Sequence, residues 1–517
     1  MTTSSPPAVP TGALRSRLHA DLQRLQQSVT DPTVAARLAE IGRALSDPLR
    51  IAVAGRVKAG KSTLVNALLR QRVAPTDVGE CTKIVTWYRY GVPERFEIVL
   101  RSGERQTRPL QPDGSLPATV GVDPADVERL EVFLSIQDLS ALTIIDTPGL
   151  SSANDEFSAS TRELLALDRV SRAAIGHADV LLLVMAMEPH GADVDALGRF
   201  DEQFSGLPCH ALNSVGVLSR IDQIDLGTDE LASHVGSLAE RFSDHHHLSL
   251  ASVLPVNGLL AETTRCGVLT EPDVAALRTL AALPADDQAV LLLSARRFVS
   301  ASCPVSTNQR DRLLRILDLR GVSQALQFVA QGVTSAPALA RALDRQSGMA
   351  ALAGEVFGRF GAWVEIFKAS WVVSALVQLS TASPVDRPRI AVAIEDLTLA
   401  NELLQVSLMR SVQRHAAGEV TLPEDRVESL LRLAGEASPT ARLGVGDGTN
   451  GGDASRAAFE GIRRWRSFAN DGRAGPAERE VADVACRAIA VVLDAVESSS
   501  DAGPIGSAGA SVQKGAL

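Results

Sequence analysis

Lysine is nearly absent from this 517-residue chain. Five lysines (Lys58, Lys61, Lys83, Lys368 and Lys514) stand among 51 basic residues, and the rest are arginine. A compact ammonium and a planar guanidinium fork are not interchangeable at a phosphate, so a lysine kept in such a composition points to chemistry. Three of the five fall between positions 58 and 83. Cysteine is also sparse. Cys81, Cys209, Cys266, Cys303 and Cys486 are odd in number, scattered and without a C-x-x-C pair, which excludes a disulfide scaffold and predicts reduced thiols in the cytoplasm. A basic excess is missing too. The net charge of −10 argues against nucleic acid as a partner and against a ribosome-linked role. No apolar run reaches the roughly 20 residues of a membrane-spanning helix. The nearest, Trp363 to Leu379, contains Glu365 and Lys368 and reads as the buried face of a long helix, so any membrane contact is expected to be peripheral. Residues 1–12 lack the basic-then-apolar pattern of a signal peptide and are expected to be disordered.

The remaining composition is that of a globular protein of two or three domains, with 45% hydrophobic and 22% charged residues. Residues 13–47 carry two helical repeats, Leu14-Leu18-Leu22-Leu25 and Val34-Leu38-Ile41-Leu45, separated by Asp31-Pro32 with Asp31 as N-cap. From 48 to 268 strands alternate with helices. Strands are predicted at Ile51–Ala54, Ile84–Tyr90, Phe96–Leu100, Leu130–Ser135, Leu142–Ile145, Val180–Met187, Val215–Leu218 and Val253–Val256. Several are continuous apolar runs, which predicts an α/β domain with a mostly parallel sheet buried on both faces. From 269 to 497 the strand signals stop. An all-α bundle is expected, with long helices over Met349–Leu379 and Ile390–His415 joined as a hairpin through Thr381–Pro388. Residues 498–517 are Ser/Gly/Ala-rich and expected to be disordered. Asp244-His245-His246-His247 is a poor metal site, because adjacent histidines do not converge. Arg463-Arg464-Trp465-Arg466-Ser467-Phe468 reads as a helix with an arginine face and a buried Trp465, or as a contact for anionic lipid.

Chemistry concentrates at Gly55-Arg56-Val57-Lys58-Ala59-Gly60-Lys61-Ser62. This is G-x-x-x-x-G-K-[ST] between a strand and a helix, the context in which the motif is a phosphate-binding loop. Backbone N–H groups of Gly55 to Thr63 would cradle phosphates at a helix N-terminus, Lys61 would reach the β- and γ-phosphates, and Ser62 would ligate Mg²⁺. Asp146-Thr147-Pro148-Gly149 closes a later strand as D-x-x-G. Asp146 would hold Mg²⁺ through water, and the Gly149 N–H would sense the γ-phosphate. In the loop between the two motifs, Thr82 is the switch threonine that would close over the metal. Ser219-Arg220-Ile221-Asp222 stands where nucleotide switches carry [NT]-K-x-D, so Asp222 would read guanine while the Arg220 stem lies along the base. Asn257 and Gly258 would present backbone to the base edge. The expected substrate is GTP.

Gly-Lys-Ser-Thr-Leu-Val-Asn-Ala-Leu-Leu, then Cys-Thr-Lys-Ile-Val-Thr, then Asp-Thr-Pro-Gly-Leu resemble the bacterial dynamin-like GTPases, in particular the short actinobacterial, isoniazid-inducible kind. The resemblance is specific over 50–260 and covers only helical layout beyond. It implies a GTPase head, a helical neck and trunk, nucleotide-driven head-to-head dimers and membrane remodelling at the inner face of the cell membrane. It also implies that helix 13–28 packs with helix 477–496, and that the partner is a second copy or a paralogous dynamin-like protein, with peripheral contact to anionic lipid. Two positions depart from the pattern. Val57 replaces the P-loop glutamine of eukaryotic dynamins, and Leu150 stands where Ras-like proteins orient water. Turnover would then rest on backbone groups, on Lys58 in place of a monovalent cation, or on a partner. The alternative is a non-hydrolysing or partner-activated GTP-dependent scaffold.

Overall fold

Leu49–Gly55 forms β1, and all seven of its residues are buried. The chain is described by a computed structural model over residues 13–75, 84–149, 174–175, 178–186, 213–221, 228–245, 250–361, 363–399, 403–416, 418–435, 438–446, 449 and 451–501. Eight further strands join β1: β2 (Thr86–Tyr90), β3 (Arg95–Leu100), β4 (Arg105–Arg108), β5 (Val127–Leu134), β6 (Leu142–Asp146), β7 (Val180–Ala186), β8 (Ser214–Ser219) and β9 (Ser252–Pro255). Their order is β4-β3-β5-β2-β6-β1-β7-β8-β9. β6, β1, β7, β8 and β9 run parallel to one another and β2 runs parallel to β5, while β2 meets β6 antiparallel and β3 meets both β4 and β5 antiparallel. The mostly parallel sheet expected of the apolar runs is therefore present.

β4 was not expected, and its sequence explains why. Arg-Gln-Thr-Arg has no apolar residue to give a period-two signal. It is held by charge instead. The Glu131 carboxylate, 1% exposed, takes Arg89 and Arg105 at 3.3 Å and Arg129 at 2.7 Å. Burial alone would raise its pKa, but the three guanidinium groups hold it below the usual carboxylate range.

Helices α1 (Ala13–Ser28), α2 (Pro32–Ser46), α3 (Lys61–Leu69), α4 (Thr228–His245) and α5 (Gly258–Arg265) follow the expected pattern. The chain then forms α6 (Glu271–Ala281), α7 (Ala285–Leu292), α8 (Ala295–Ser300), α9 (Thr307–Ala330), α10 (Ala336–Asp344) and α11 (Met349–Ala353). Two compact units result, Ser46–Val364 and Met1–Leu45 with Glu365–Leu517. Residues 269–364 thus pack with the sheet domain, not with the bundle to which the sequence pattern assigned them. The reason is a shared core: Leu260 of α5 is buried with Leu277, Leu317, Leu339 and Leu343 of the following helices. Arg265 adds an ion pair to Asp344 at 2.9 Å.

The single helix expected over Met349–Leu379 is broken. α11 passes into a π-helical stretch, Gly354–Phe360, and a new helix α12 spans Val364–Ala382. Gly354, Gly358 and Gly361 weaken helical order there, and the division between the two units falls at this point. Over Ile390–His415 the structure describes α13 (Arg387–Leu399) and α14 (Leu404–Ala416), and residues 400–402 between them lie outside the described residues. α15 (Glu424–Gly435), α16 (Pro439–Arg442), α17 (Gly451–Ala469) and α18 (Pro476–Asp501) complete the bundle. α18 runs four residues into the segment expected to be disordered from 498. No helix among the described residues is long and apolar enough to cross a membrane.

Within the bundle α1 packs mainly on α13 and α18 mainly on α17, so the α1–α18 pairing implied by the resemblance is not the principal contact of either helix. Asp386 accounts for the α1–α13 arrangement. Its buried carboxylate accepts from Thr30 N at 3.0 Å, Thr30 Oγ1 at 3.1 Å and Asp31 N at 3.0 Å, and pairs with Arg389 at 2.9 Å. Burial opposes ionisation, but these donors outweigh it and hold the pKa below the ordinary value. The contribution to stability is complete above the usual carboxylate range and vanishes as pH falls through the depressed value. Asp386→Ala is expected to lower the thermal unfolding midpoint clearly more than Asp31→Ala, which removes a single cap bond to Thr33 N. Equal midpoints for the two variants would contradict this account.

Candidate functional site

Gly55 ends β1 at φ +153°, and a Cβ there would lie 2.1 Å from the Val184 carbonyl oxygen of β7. Only glycine allows the chain to leave the sheet at this point. The loop turns through Lys58 at φ +63° and Gly60 at φ +93°, with Ala59 N donating to Arg56 O at 3.1 Å. Lys61 opens α3 and is 8% exposed. Its Nζ curls back over the loop and donates to Gly55 O at 3.1 Å and Arg56 O at 2.9 Å. Burial lowers its pKa and Asp146 partly restores it.

The β1–β6 register, Val53 beside Asp146, brings the second motif to the loop. Thr147 clamps it by donating Oγ1 to Val53 O at 2.9 Å. Ser62 Oγ donates to Asp146 Oδ2 at 3.2 Å. Asp146 Oδ1 is buried with no hydrogen-bond partner. Burial pushes the carboxyl up to about 6, against the pull of Lys61 and Ser62. Such a group is short of positive charge, and a divalent cation between Ser62 and Asp146 would supply it. Gly149 lies against the loop so closely that a Cβ would stand 2.5 Å from Val57 Cγ2 and 2.7 Å from its Cα.

The base side is built around Ser219. Its hydroxyl, at the end of β8, lies 2.6 Å from Ala59 O and 2.9 Å from Met185 O, tying the phosphate loop to the neighbouring strand end. A cavity of about 170 Å³ opens beside it, lined by Gly60, Thr63, Ser219, Arg220, Val256 and Gly258 among others. Asn257 does not offer its N–H to this cavity. That group donates to Ser347 O at 2.9 Å, and the side chain caps α5 by accepting from Leu260 N at 3.0 Å. Gly348, at φ +77°, sits where a Cβ would be 2.1 Å from Pro255 O. The Ser347-Gly348 turn therefore braces the base loop from a point some 90 residues further along the chain.

Gly55, Ala59, Gly60, Lys61, Ser62, Asp146 and Gly149 thus meet at the phosphate end, and Thr63, Arg220 and Gly258 meet at the base cavity. Lys58 is exposed. Thr82, Asp222, Lys83, Leu150, His246 and His247 lie outside the described residues. No cluster of three metal-ligating side chains occurs among the described residues. Neither the loop tie made by Ser219 nor the brace made by Ser347-Gly348 belongs to a nucleotide motif. Ser-Gly signals a turn, but nothing local says what the turn touches.

The profile of the Dynamin family matches residues 51–199. Isoniazid-induced protein IniC of Mycobacterium tuberculosis is 34% identical over 491 residues, which cover 92% of this chain and 96% of that protein. A bacterial dynamin-like protein of Nostoc punctiforme is 32% identical over 108 residues, 21% of this chain and 14% of that one. Among solved structures, an oligomerised bacterial dynamin pair described as sensing and tethering membranes aligns over 95% of this chain and 80% of that chain, at 13% identity and a TM-score of 0.30. With a phosphate loop and D-x-x-G in place on a mostly parallel sheet, and a 34% identical relative matched over nearly its whole length, the chain belongs to the dynamin family of GTPases.

Proposed function

We propose that this protein binds Mg²⁺·GTP between the phosphate loop and the 170 Å³ cavity and hydrolyses it to GDP and phosphate, using the cycle to control self-association on the cytoplasmic face of a membrane. The observation that carries the reading is the convergence of Lys61, Ser62 and Asp146 with an unpartnered Asp146 oxygen between them. Ser62, Thr82 and, through water, Asp146 would hold the metal, which supplies charge neutralisation at the phosphates. Lys61 binds the β- and γ-phosphates, and the Gly149 N–H bonds the γ-phosphate. Arg220, Asp222 and Gly258 select guanine. Family membership supports the membrane half of this reading, with anionic lipid contacted peripherally and a second copy or a paralogous dynamin-like protein as partner. The test is competition of labelled GTP by excess ATP, then turnover with and without anionic vesicles. Equal displacement by both nucleotides sinks the guanine assignment.

A second reading rests on Val57. The side chain at the glutamine position is apolar and 58% exposed, so it cannot orient water. On this reading the protein is a GTP-dependent scaffold whose turnover awaits a partner. Lys58 decides between the two. An exposed ammonium beside the phosphates would offset transition-state charge without a monovalent cation, and such electrostatic stabilisation is often the largest catalytic contribution. The expected result is hydrolysis by the wild type at the same rate in Na⁺, K⁺ or a large organic cation at equal ionic strength, with Lys58→Ser gaining cation dependence. Strong stimulation of the wild type by K⁺ or Na⁺ would end the Lys58 assignment.

A further inference from the structure

The bundle unit contains a second concave site, remote in sequence from the nucleotide motifs. α15, α16 and α17 enclose a cavity of about 220 Å³ lined by Arg426, Arg432, Arg442 and Arg464, with Trp465 and Gly444 completing the wall. Since a water occupies about 30 Å³ of liquid, that is room for about seven waters. Two acidic residues, Asp425 and Glu460, also line it. They are already engaged: Asp425 accepts from Arg426 Nη1 at 2.8 Å, and Glu460 pairs with Arg464. The nearest carboxylate to Arg432 is the exposed Glu428, 3.9 Å from Nη1.

The inner edges of two of these arginines are left over. The Nε atoms of Arg426 and Arg432 are buried and have no hydrogen-bond partner. Arg442 is only 9% exposed. Removing guanidinium donors from water without an acceptor costs free energy, yet this chain brings the unpaired Nε groups of Arg426 and Arg432 to one cavity, with the buried Arg442 beside them, while its overall charge is −10. The wall is shaped to keep them there. Gly444, at φ +79°, lets the Arg432 guanidinium approach to where a Cβ would stand 3.3 Å from its Nε. Arg426 lies 5.7 Å from the centre of the Trp465 ring, and Trp465 is locked by donating Nε1–H to Ser429 Oγ at 3.2 Å. The Arg-Arg-Trp-Arg stretch thus turns its tryptophan inward to build the cavity.

We propose that this cavity binds a phosphate group, carried either by a soluble phosphate ester or by the headgroup of an anionic phospholipid. Forked guanidinium donors from three helices match tetrahedral oxyanions better than any other common ligand. The test uses the full chain carrying Lys61→Ala, which silences phosphate binding at the nucleotide loop. Inorganic phosphate and glycerol 3-phosphate are titrated calorimetrically, and phosphatidylcholine vesicles with and without phosphatidic acid are tested by co-sedimentation. Arg432→Gln is the diagnostic variant, since this half-exposed residue can change without emptying the core, and circular dichroism confirms its fold. Binding of the soluble ions, or of phosphatidic acid vesicles alone, that weakens about tenfold or more in Arg432→Gln supports the site and names the source. No binding by the Lys61→Ala chain, or binding that Arg432→Gln leaves unchanged, overturns it.

Discussion

Lys61→Ala is expected to weaken GTP binding by at least about a hundredfold. Hydrogen bonds to charged groups contribute about 1.5–3 kcal/mol each, and about 1.4 kcal/mol is tenfold in affinity. An ammonium reaching both β- and γ-phosphates makes at least two such contacts. The substitution acts twice, because Lys61 also restrains Asp146. Its positive charge opposes the burial that pushes the Asp146 carboxyl up to about 6, and the substitution removes that opposition. Lys61→Arg is no rescue. The Nζ fits between Gly55 O and Arg56 O at 3.1 and 2.9 Å, and a planar fork does not enter that space. Equilibrium binding of a fluorescent GTP analogue in excess Mg²⁺ measures the effect. A dissociation constant within threefold of the parent would remove Lys61 from the phosphate site.

The second large effect is expected at Gly348, far in sequence from any nucleotide motif. Gly348→Ala forces an L-residue into the left-handed region, at about 1–2 kcal/mol, and drives a Cβ to 2.1 Å from Pro255 O. Relieving that overlap means moving the end of β9 or the turn itself, at about 1–3 kcal/mol more. A total loss of about 2–5 kcal/mol follows. Because Asn257 N is bonded to Ser347 O, the base loop shifts with the turn, and GTP affinity falls as well. Gly332→Ala is the control. Its backbone is also left-handed, at φ +92°, but a Cβ there meets nothing within 4 Å. Chemical denaturation of both variants, followed by GTP binding of each, separates backbone strain from the brace. If Gly332→Ala and Gly348→Ala behave alike, Ser347-Gly348 is an ordinary turn.

The parts of this protein that were legible beforehand are those whose signal is local. All eight expected strands are present within a few residues, and those buried on both faces, such as β1 and β7, are written in consecutive apolar letters. The phosphate loop and Asp146 were readable for the same reason: the geometry they need is encoded in neighbouring residues. What was missed depends on who meets whom. Periodicity marks a helix as amphipathic without naming the surface that buries it, so α6 to α10 were not seen to share a core with Leu260 of the sheet domain. Ser219 stands at the first position of the [NT]-K-x-D motif, and nothing local says that its hydroxyl ties Ala59 to Met185. β4 was invisible because ion pairs to Glu97 and Glu131 replace apolar contacts.

That same strand bears on crowding. Among the described strands the sheet ends in β4 on one side and β9 on the other. An open edge is a template for another chain, and an unguarded one invites aggregation when copies are concentrated on a surface. Here one border carries Arg105 and Arg108 and no apolar residue, a charged edge that discourages a second strand. The opposite border is four residues long and closes on Pro255, which has no N–H to give. Among the described strands, each end thus carries a feature that works against extension. Self-association of the kind proposed above would then bring copies together without favouring the joining of their sheets into a continuous β-structure.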